Sequence, residues 1–248
     1  MALIEAENPT ALTDGEDSAL HDWVRALQAT ALISGNPQSL LLDVIEERAA
    51  KGGDTSALLS AQECFTYRQL AGRANAYARW ALAQNLAKGE VVGLMMPNRP
   101  EYLAIWLGIS RVGGIVALMN THLRGDALAH CIDVAAPNHL IAADEYVEAC
   151  QSVAAHLSVR LKIWTHGVDG ADMARIDHEI SQLSTAPLSE AERRGTTTAD
   201  RALLIYTSGT TGLPKAANVS HRRLLQWSFW FAGLMNTGPD DRMYDCLP

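Results

Sequence analysis

Basic residues are missing from the first 22 positions of this 248-residue chain, which hold Glu5, Glu7, Asp14, Glu16, Asp17 and Asp22. Those six carboxylates carry most of the net charge of −8 and leave −2 for the remainder, so a basic surface for nucleic acid is not expected. No basic segment precedes an apolar one at the start, which argues against an export signal. The four cysteines, Cys64, Cys131, Cys150 and Cys246, contain no C-x-x-C pair. Neither a disulfide framework nor a cysteine metal site is indicated, and buried packing thiols are expected. Long apolar runs are also absent. The stretch Leu224 to Met235 is 12 residues long, where a membrane span needs about 20. A buried helix is the simpler reading, compatible with peripheral contact with a membrane surface, and the cytoplasm is the expected compartment. The eight histidines form no H-E-x-x-H or tight Cys/His cluster, so no metal site is expected. No G-x-S-x-G elbow is present to support a serine hydrolase.

What the chain does have is an alternation of short apolar runs and helix-period segments. Residues 1–16 are polar and acidic with little periodicity and read as a poorly ordered lead-in. Helical spacing follows from Ser18 and again after Asn36-Pro37. Ala57–Ser60 and Glu63–Phe65 read as two short strands, and Thr66 as the cap of an Ala-rich helix reaching about Ala87. Val91 to Met96 is a continuous apolar run, as a strand buried on both faces would be. Further strands are expected at Ile115–Met119, Asn138–Ile141 and Leu161–Trp164, with helices between them. The fold class is α/β, with mostly parallel sheets flanked by helices, and ligands are expected at the carboxyl ends of the strands. Residues 165–200, polar and low in β propensity apart from a helix pattern near Met173 to Leu183, read as an excursion between two subdomains.

The run Ala202-Leu203-Leu204-Ile205 feeds Tyr206-Thr207-Ser208-Gly209-Thr210-Thr211-Gly212-Leu213-Pro214-Lys215, in which six of ten residues are Thr, Ser or Gly. A buried strand opening into such a loop brings backbone amides, hydroxyls and one ammonium together without any carboxylate, as phosphate oxygens require. A Ser/Thr/Gly surface turn with an incidental lysine has the same composition. The P-loop pattern is not met, because Pro214 stands where the second glycine belongs and Ala216 follows Lys215. Ser220 can cap a helix from His221 to Met235 whose dipole would point toward the loop. His221 reads as a structural residue at that helix start, and Trp227 and Trp230 read as core rather than as the wall of an acyl tunnel.

These ten residues resemble, nearly letter for letter, the signature loop of the AMP-forming adenylating enzymes. Met96-Pro97-Asn98-Arg99-Pro100-Glu101-Tyr102, Trp106-Leu107-Gly108, Gly113-Gly114, Asn120-Thr121-His122-Leu123-Arg124 and Leu128-Ala129-His130-Cys131 are similar in order and spacing to the fatty-acid transport protein and very-long-chain acyl-CoA synthetase branch. Lys215-Ala216-Ala217 and Tyr244-Asp245-Cys246-Leu247-Pro248 point the same way, so the resemblance covers roughly residues 40–248. It implies a large N-terminal domain of an acyl-adenylate-forming enzyme. The implied chemistry uses ATP and Mg²⁺ to convert a long- or very-long-chain fatty acid to an acyl-adenylate, then passes the acyl group to coenzyme A. ATP phosphate contacts are expected from Thr207, Ser208, Gly209, Thr210, Thr211, Gly212 and Lys215. No residue is assigned a catalytic role, since the adenylating lysine of that family lies in a small C-terminal domain not matched here.

The expected organisation is an acidic lead-in and first helix at 1–35, an α/β subdomain at 36–200, and the start of the next subdomain, with the phosphate loop, at 201–248. The C-terminal domain is expected to be absent and this piece to be inactive alone. Two alternatives stay open: a non-catalytic nucleotide-binding or scaffolding module, and an adenylating ligase for another carboxylic acid.

Overall fold

The computed structural model describes residues 19–167, 173–207 and 213–245. The expected lead-in at 1–16 and Cys246 lie outside the described residues. Helix α1 spans Ala19–Ala31, a 3₁₀ turn follows at Leu32–Gly35, and α2 spans Leu41–Gly52. Strands β1 (Ser56–Leu59) and β2 (Cys64–Thr66) form a small antiparallel pair. Thr66 then caps α3 (Tyr67–Ala83): its hydroxyl accepts from the Gln69 amide, and the Gln69 side chain accepts from the Thr66 amide in return. This helix ends four residues before the expected Ala87, where Asn85 takes a left-handed φ of 57°.

The alternation then proceeds through β3 (Val91–Met95), α4 (Pro100–Arg111), β4 (Ile115–Leu118), α5 (Gly125–Ala135), β5 (His139–Ala143), α6 (Val147–Ala154) and β6 (Lys162–His166). It continues with β7 (Ala174–Arg175), α7 (Ile176–Ser181), β8 (Arg201–Thr207), β9 (Lys215–Ser220) and α8 (His221–Leu234). The large sheet runs β7-β6-β5-β3-β4-β8-β9, parallel throughout except for the antiparallel pair β8 and β9. The β-run at 91–95 is apolar without a break because both faces are covered. Val92 and Leu94 pack under α3 and α4 with Tyr77, Trp80, Ile105 and Ile109. Met95 turns to the opposite face, where Leu128, Cys131 and Ile132 of α5 and Cys150 and Val153 of α6 meet it.

The described parts of the expected excursion, residues 165–167 and 173–200, pack on the layered body. Strand β7 extends the sheet edge, Ile176 and Ile180 are buried, and Arg79 of α3 donates to the carbonyls of Ser184 and Ala186 at 2.7 Å each. The helix expected near Met173 to Leu183 is α7, and the stretch after it is held by the buried Leu188 and by Arg194 and the Thr198 amide, which donate to the carbonyls of Leu86 and Pro37. Strand β8 begins at residue 201, where the next subdomain was expected to start, and pairs in register with β4 (Ala117 with Leu204).

Two cysteines fill the expected role, Cys131 and Cys150 being fully buried, while Cys64 on the short β2 is exposed. Trp227 is 50% exposed and stacks with Arg223, so it is not core, whereas Trp230 meets Trp23 of α1 edge to face at 5.2 Å. Helices α3 and α4 pack closely at Gly108, where an added Cβ would stand 2.1 Å from the Ala74 carbonyl oxygen and 2.8 Å from Tyr77 Cβ. Gly108→Ala is therefore expected to lower stability by about 1–3 kcal/mol through overpacking, read as a reduced urea midpoint.

A carboxylate is buried beside that contact. Glu101, in the first turn of α4 and 2% exposed, accepts from the Tyr77 hydroxyl and from Arg73 Nε at 2.8 Å. His166 Nε2 at the end of β6 stands 3.5 Å from the same carboxylate, at the outer limit of a hydrogen bond. Burial pushes the Glu101 carboxyl upward, but His166, Arg73 and Tyr77 outweigh it and hold the group below the ordinary carboxylate value.

Candidate functional site

Strand β8 carries the chain to the carboxyl edge of the parallel sheet, the side where doubly wound sheets bind ligands. Thr207, its last residue, pairs with Lys215, the first residue of β9, so the two ends of the 208–212 segment stand side by side. Both side chains are exposed, and among the described residues Lys215 has no ion-pair partner. The arrangement therefore presents an ammonium and a hydroxyl on adjacent strands with no carboxylate to compete for them. Ser208, Gly209, Thr210, Thr211 and Gly212, the other expected phosphate contacts, lie outside the described residues.

Helix α5 supports this hairpin from one side. The Tyr206 hydroxyl donates to the Cys131 carbonyl at 2.6 Å, and burial raises its pKa above the ordinary phenol value. His130 Nε2 lies 3.1 Å from the Pro214 carbonyl oxygen. In the sequence, His130 and Cys131 read only as two residues of a helix, and the lone signal for their contact was their presence within the resembling segments.

Neighbouring strand ends contribute further polar groups. After β3, Arg99 pairs with Glu145 at 2.7 Å and Asn98 donates to Asp245 at 3.3 Å. After β4, Arg124 donates to the carbonyls of Thr121 and Leu123 at 2.6 and 2.7 Å and lies 5.6 Å above the Tyr146 ring. These arginines are engaged with protein groups, so Lys215 is the better-placed cation for an incoming anion.

The helix dipole expected to face the loop points elsewhere. Strand β9 runs antiparallel to β8 from Lys215 to Ser220, and Ser220 pairs with Arg201 at the opposite end of β8. Ser220 does cap α8 by accepting from the Arg223 amide, but that cap sits at the amino edge of β8, about 20 Å of strand from Lys215. The alanines and Asn218 of β9 gave little strand signal, which is why the strand separating loop from helix went unseen.

His221, the first residue of α8, is a packing residue as expected: it is 3% exposed, with Nε2 3.1 Å from the Ser110 carbonyl oxygen. Burial lowers its pKa from 6.5 to about 4. A folded-state pKa depressed in this way gives stability that is full above pH 6.5 and is lost as pH falls toward 4, about 3 kcal/mol in all. His221→Gln, which keeps an amide donor for Ser110, is expected to flatten that acid limb in urea titrations between those two pH values.

Among the described residues, no group of three or more His, Cys, Asp or Glu side chains could hold a metal ion. The two described hairpin stems offer an ammonium and a hydroxyl and no carboxylate, so they do not by themselves fit Mg²⁺. Among the described residues no helix is long and apolar enough to cross a membrane.

A family model described as "AMP-binding enzyme" matches residues 45–248. The chain is 37% identical over 191 residues to "Long-chain fatty acid transport protein 1" of Homo sapiens, covering 75% of this chain and 29% of that protein. It is 31% identical over 227 residues to "Medium/long-chain-fatty-acid–CoA ligase FadD6" of Mycobacterium tuberculosis, covering 91% of this chain and 36% of that protein. The chain therefore spans about a third of the length of these curated relatives. Among solved structures, the anthranilate CoA ligase AuaEII in complex with anthranoyl-AMP superposes with a TM-score of 0.70 at 23% identity, over 77% of this chain and 36% of that one. VinN with 3-methylaspartate gives 0.68 at 22% identity, over 83% and 54%. At that identity the likeness establishes the fold.

Proposed function

Because this chain belongs to the AMP-binding enzyme family, we propose that it forms the ATP phosphate-binding portion of a long- or very-long-chain fatty acyl-CoA synthetase. The observation that carries this reading is the pairing of Thr207 with Lys215 at the carboxyl edge of the sheet, both exposed. A fatty acid as the substrate is supported by the names of the relatives, a long-chain fatty acid transport protein and a medium/long-chain-fatty-acid–CoA ligase.

In the proposed reaction a fatty-acid carboxylate attacks the α-phosphorus of ATP, the bond to the bridging oxygen breaks, and negative charge grows on the departing pyrophosphate. The Lys215 ammonium and the Thr207 hydroxyl supply donors to those oxygens from fixed strand ends, where no reorganisation is needed as charge develops. Ser208, Thr210 and Thr211, with the amides of Gly209 and Gly212, complete the proposed grip. Mg²⁺ would neutralise phosphate charge, held largely by the phosphates themselves. The coenzyme A thiol then attacks the acyl carbon of the adenylate, forming the thioester as the bond to the phosphate oxygen breaks and AMP leaves. Residues 201–248 are proposed to open the subdomain bearing this grip, in keeping with the change there from parallel to antiparallel pairing.

We further propose that catalysis requires parts of the relatives that this chain does not span. Fatty-acid-dependent exchange of labelled pyrophosphate into ATP tests both statements. A protein spanning the relatives' full length is expected to exchange, and a folded 248-residue chain to bind ATP without exchanging. Exchange by the short chain would contradict the second statement. ATP binding without exchange by the long protein, whatever acid is supplied, would favour the reading as a non-catalytic nucleotide-binding module.

A further inference from the structure

His130 and Cys131 are consecutive on α5, yet they hold different stems of the hairpin. His130 reaches the Pro214 carbonyl oxygen, one residue before Lys215, and Cys131 offers its own carbonyl to the hydroxyl of Tyr206, one residue before Thr207. A proline carbonyl can only accept, so His130 Nε2 carries a hydrogen, as the neutral ring does in one tautomer. The support matters because, among the described residues, β9 is an outer strand of the sheet and pairs with β8 alone. Lys215 is its first residue, and the direct side-chain link between the stems is a long one, from Thr207 Oγ1 to the Lys215 carbonyl at 3.5 Å. Tyr206 and Ala216 also pack on the α5 side of the core, so both stems rest on the same helix.

We propose that His130 and Tyr206 are positioning residues for the phosphate grip, clamping both stems to α5 so that Lys215 and Thr207 are held in place before an anion arrives. The proposal rests on the phosphate-binding reading above. Its physical basis is preorganisation: a donor fixed in advance loses little freedom on binding, whereas one displaced by about 1 Å forfeits much of its effect.

The test compares the wild-type chain with His130→Ala, His130→Gln and Tyr206→Phe, using amide hydrogen exchange and ATP affinity by calorimetry. Loss of either tether is expected to speed exchange about tenfold at residues 206, 207, 215 and 216, while β3 and β5 keep their protection. ATP affinity is expected to fall about fivefold to tenfold in His130→Ala and Tyr206→Phe, and to recover in His130→Gln, whose amide can donate to Pro214. Unchanged exchange at the stems, with ATP still bound by all four proteins, overturns the clamp and leaves the phosphate reading standing. Equal loss in His130→Ala and His130→Gln, with protection falling across β3 and β5, would mean general destabilisation and also overturns it. A folded wild-type chain that binds no ATP overturns the phosphate reading, and the clamp's purpose with it.

Discussion

Lys215→Ala is expected to slow adenylate formation about 100-fold in the complete enzyme we propose, a loss of about 3 kcal/mol of transition-state stabilisation. The size follows from placement. Lys215 is exposed at the start of β9, beside Thr207, with no carboxylate partner among the described residues. Its charge is therefore available to a phosphate and is not already spent on a protein anion, unlike that of Arg99, which pairs with Glu145 at 2.7 Å. Because negative charge on the pyrophosphate grows as the bond breaks, the loss should appear mainly in kcat and less in the KM for ATP. Lys215→Arg keeps the charge but exchanges a compact ammonium for a planar fork, so partial activity is expected. Lys51→Ala, which removes the same charge from a lysine paired with Glu47 on α2, is expected to change neither constant. Pyrophosphate exchange at varied ATP separates the two constants.

Glu101→Leu is expected to cost about 3 kcal/mol of folding stability, the lower end of what breaking a buried ion pair costs, because Arg73 retains some access to water. From its place on α4 the carboxylate, 2% exposed, engages groups from two other elements: Arg73 and Tyr77 on α3, and His166 at the end of β6. Its removal strands the Tyr77 hydroxyl, which is fully buried, and takes away the carboxylate that Arg73 pairs with. The pH dependence has a definite sign. A carboxyl held below its ordinary value gives stability that is complete above that value and is lost as pH falls through the folded-state pKa. Glu101→Leu should therefore lower the urea midpoint most near neutral pH and least in acid. A pH-independent loss would assign the effect to packing alone.

The sequence revealed the central parallel strands because they are covered on both faces, so Val91 to Met95 could be apolar throughout, whereas the two-residue β7 at the sheet edge left no such run. It also exposed the caps, since Thr66 with Gln69, and Ser220, act within one turn of chain. Contacts between distant segments left no comparable trace. His130 meets Pro214 across 84 residues, and nothing in a helix pattern tells which histidine turns toward a hairpin. Strand β9 escaped because Ala216, Ala217 and Asn218 are poor strand formers held in place by β8 on one side. That one omission reversed the expected direction of the α8 dipole, since a six-residue antiparallel strand returns the chain to the other edge of the sheet. Cys64 proved exposed because the two-stranded β1 and β2 pair is too small to bury it.

The central claim, that the Thr207 and Lys215 stems hold the phosphates of ATP, is tested most directly by calorimetric titration of the wild-type chain and Lys215→Ala with ATP, pyrophosphate and adenosine. The account predicts that ATP and pyrophosphate compete for one site on the wild-type chain, that Lys215→Ala weakens both about tenfold or more, and that adenosine binds far more weakly. Equal affinity of the two folded proteins for ATP, or no competition from pyrophosphate, would contradict it.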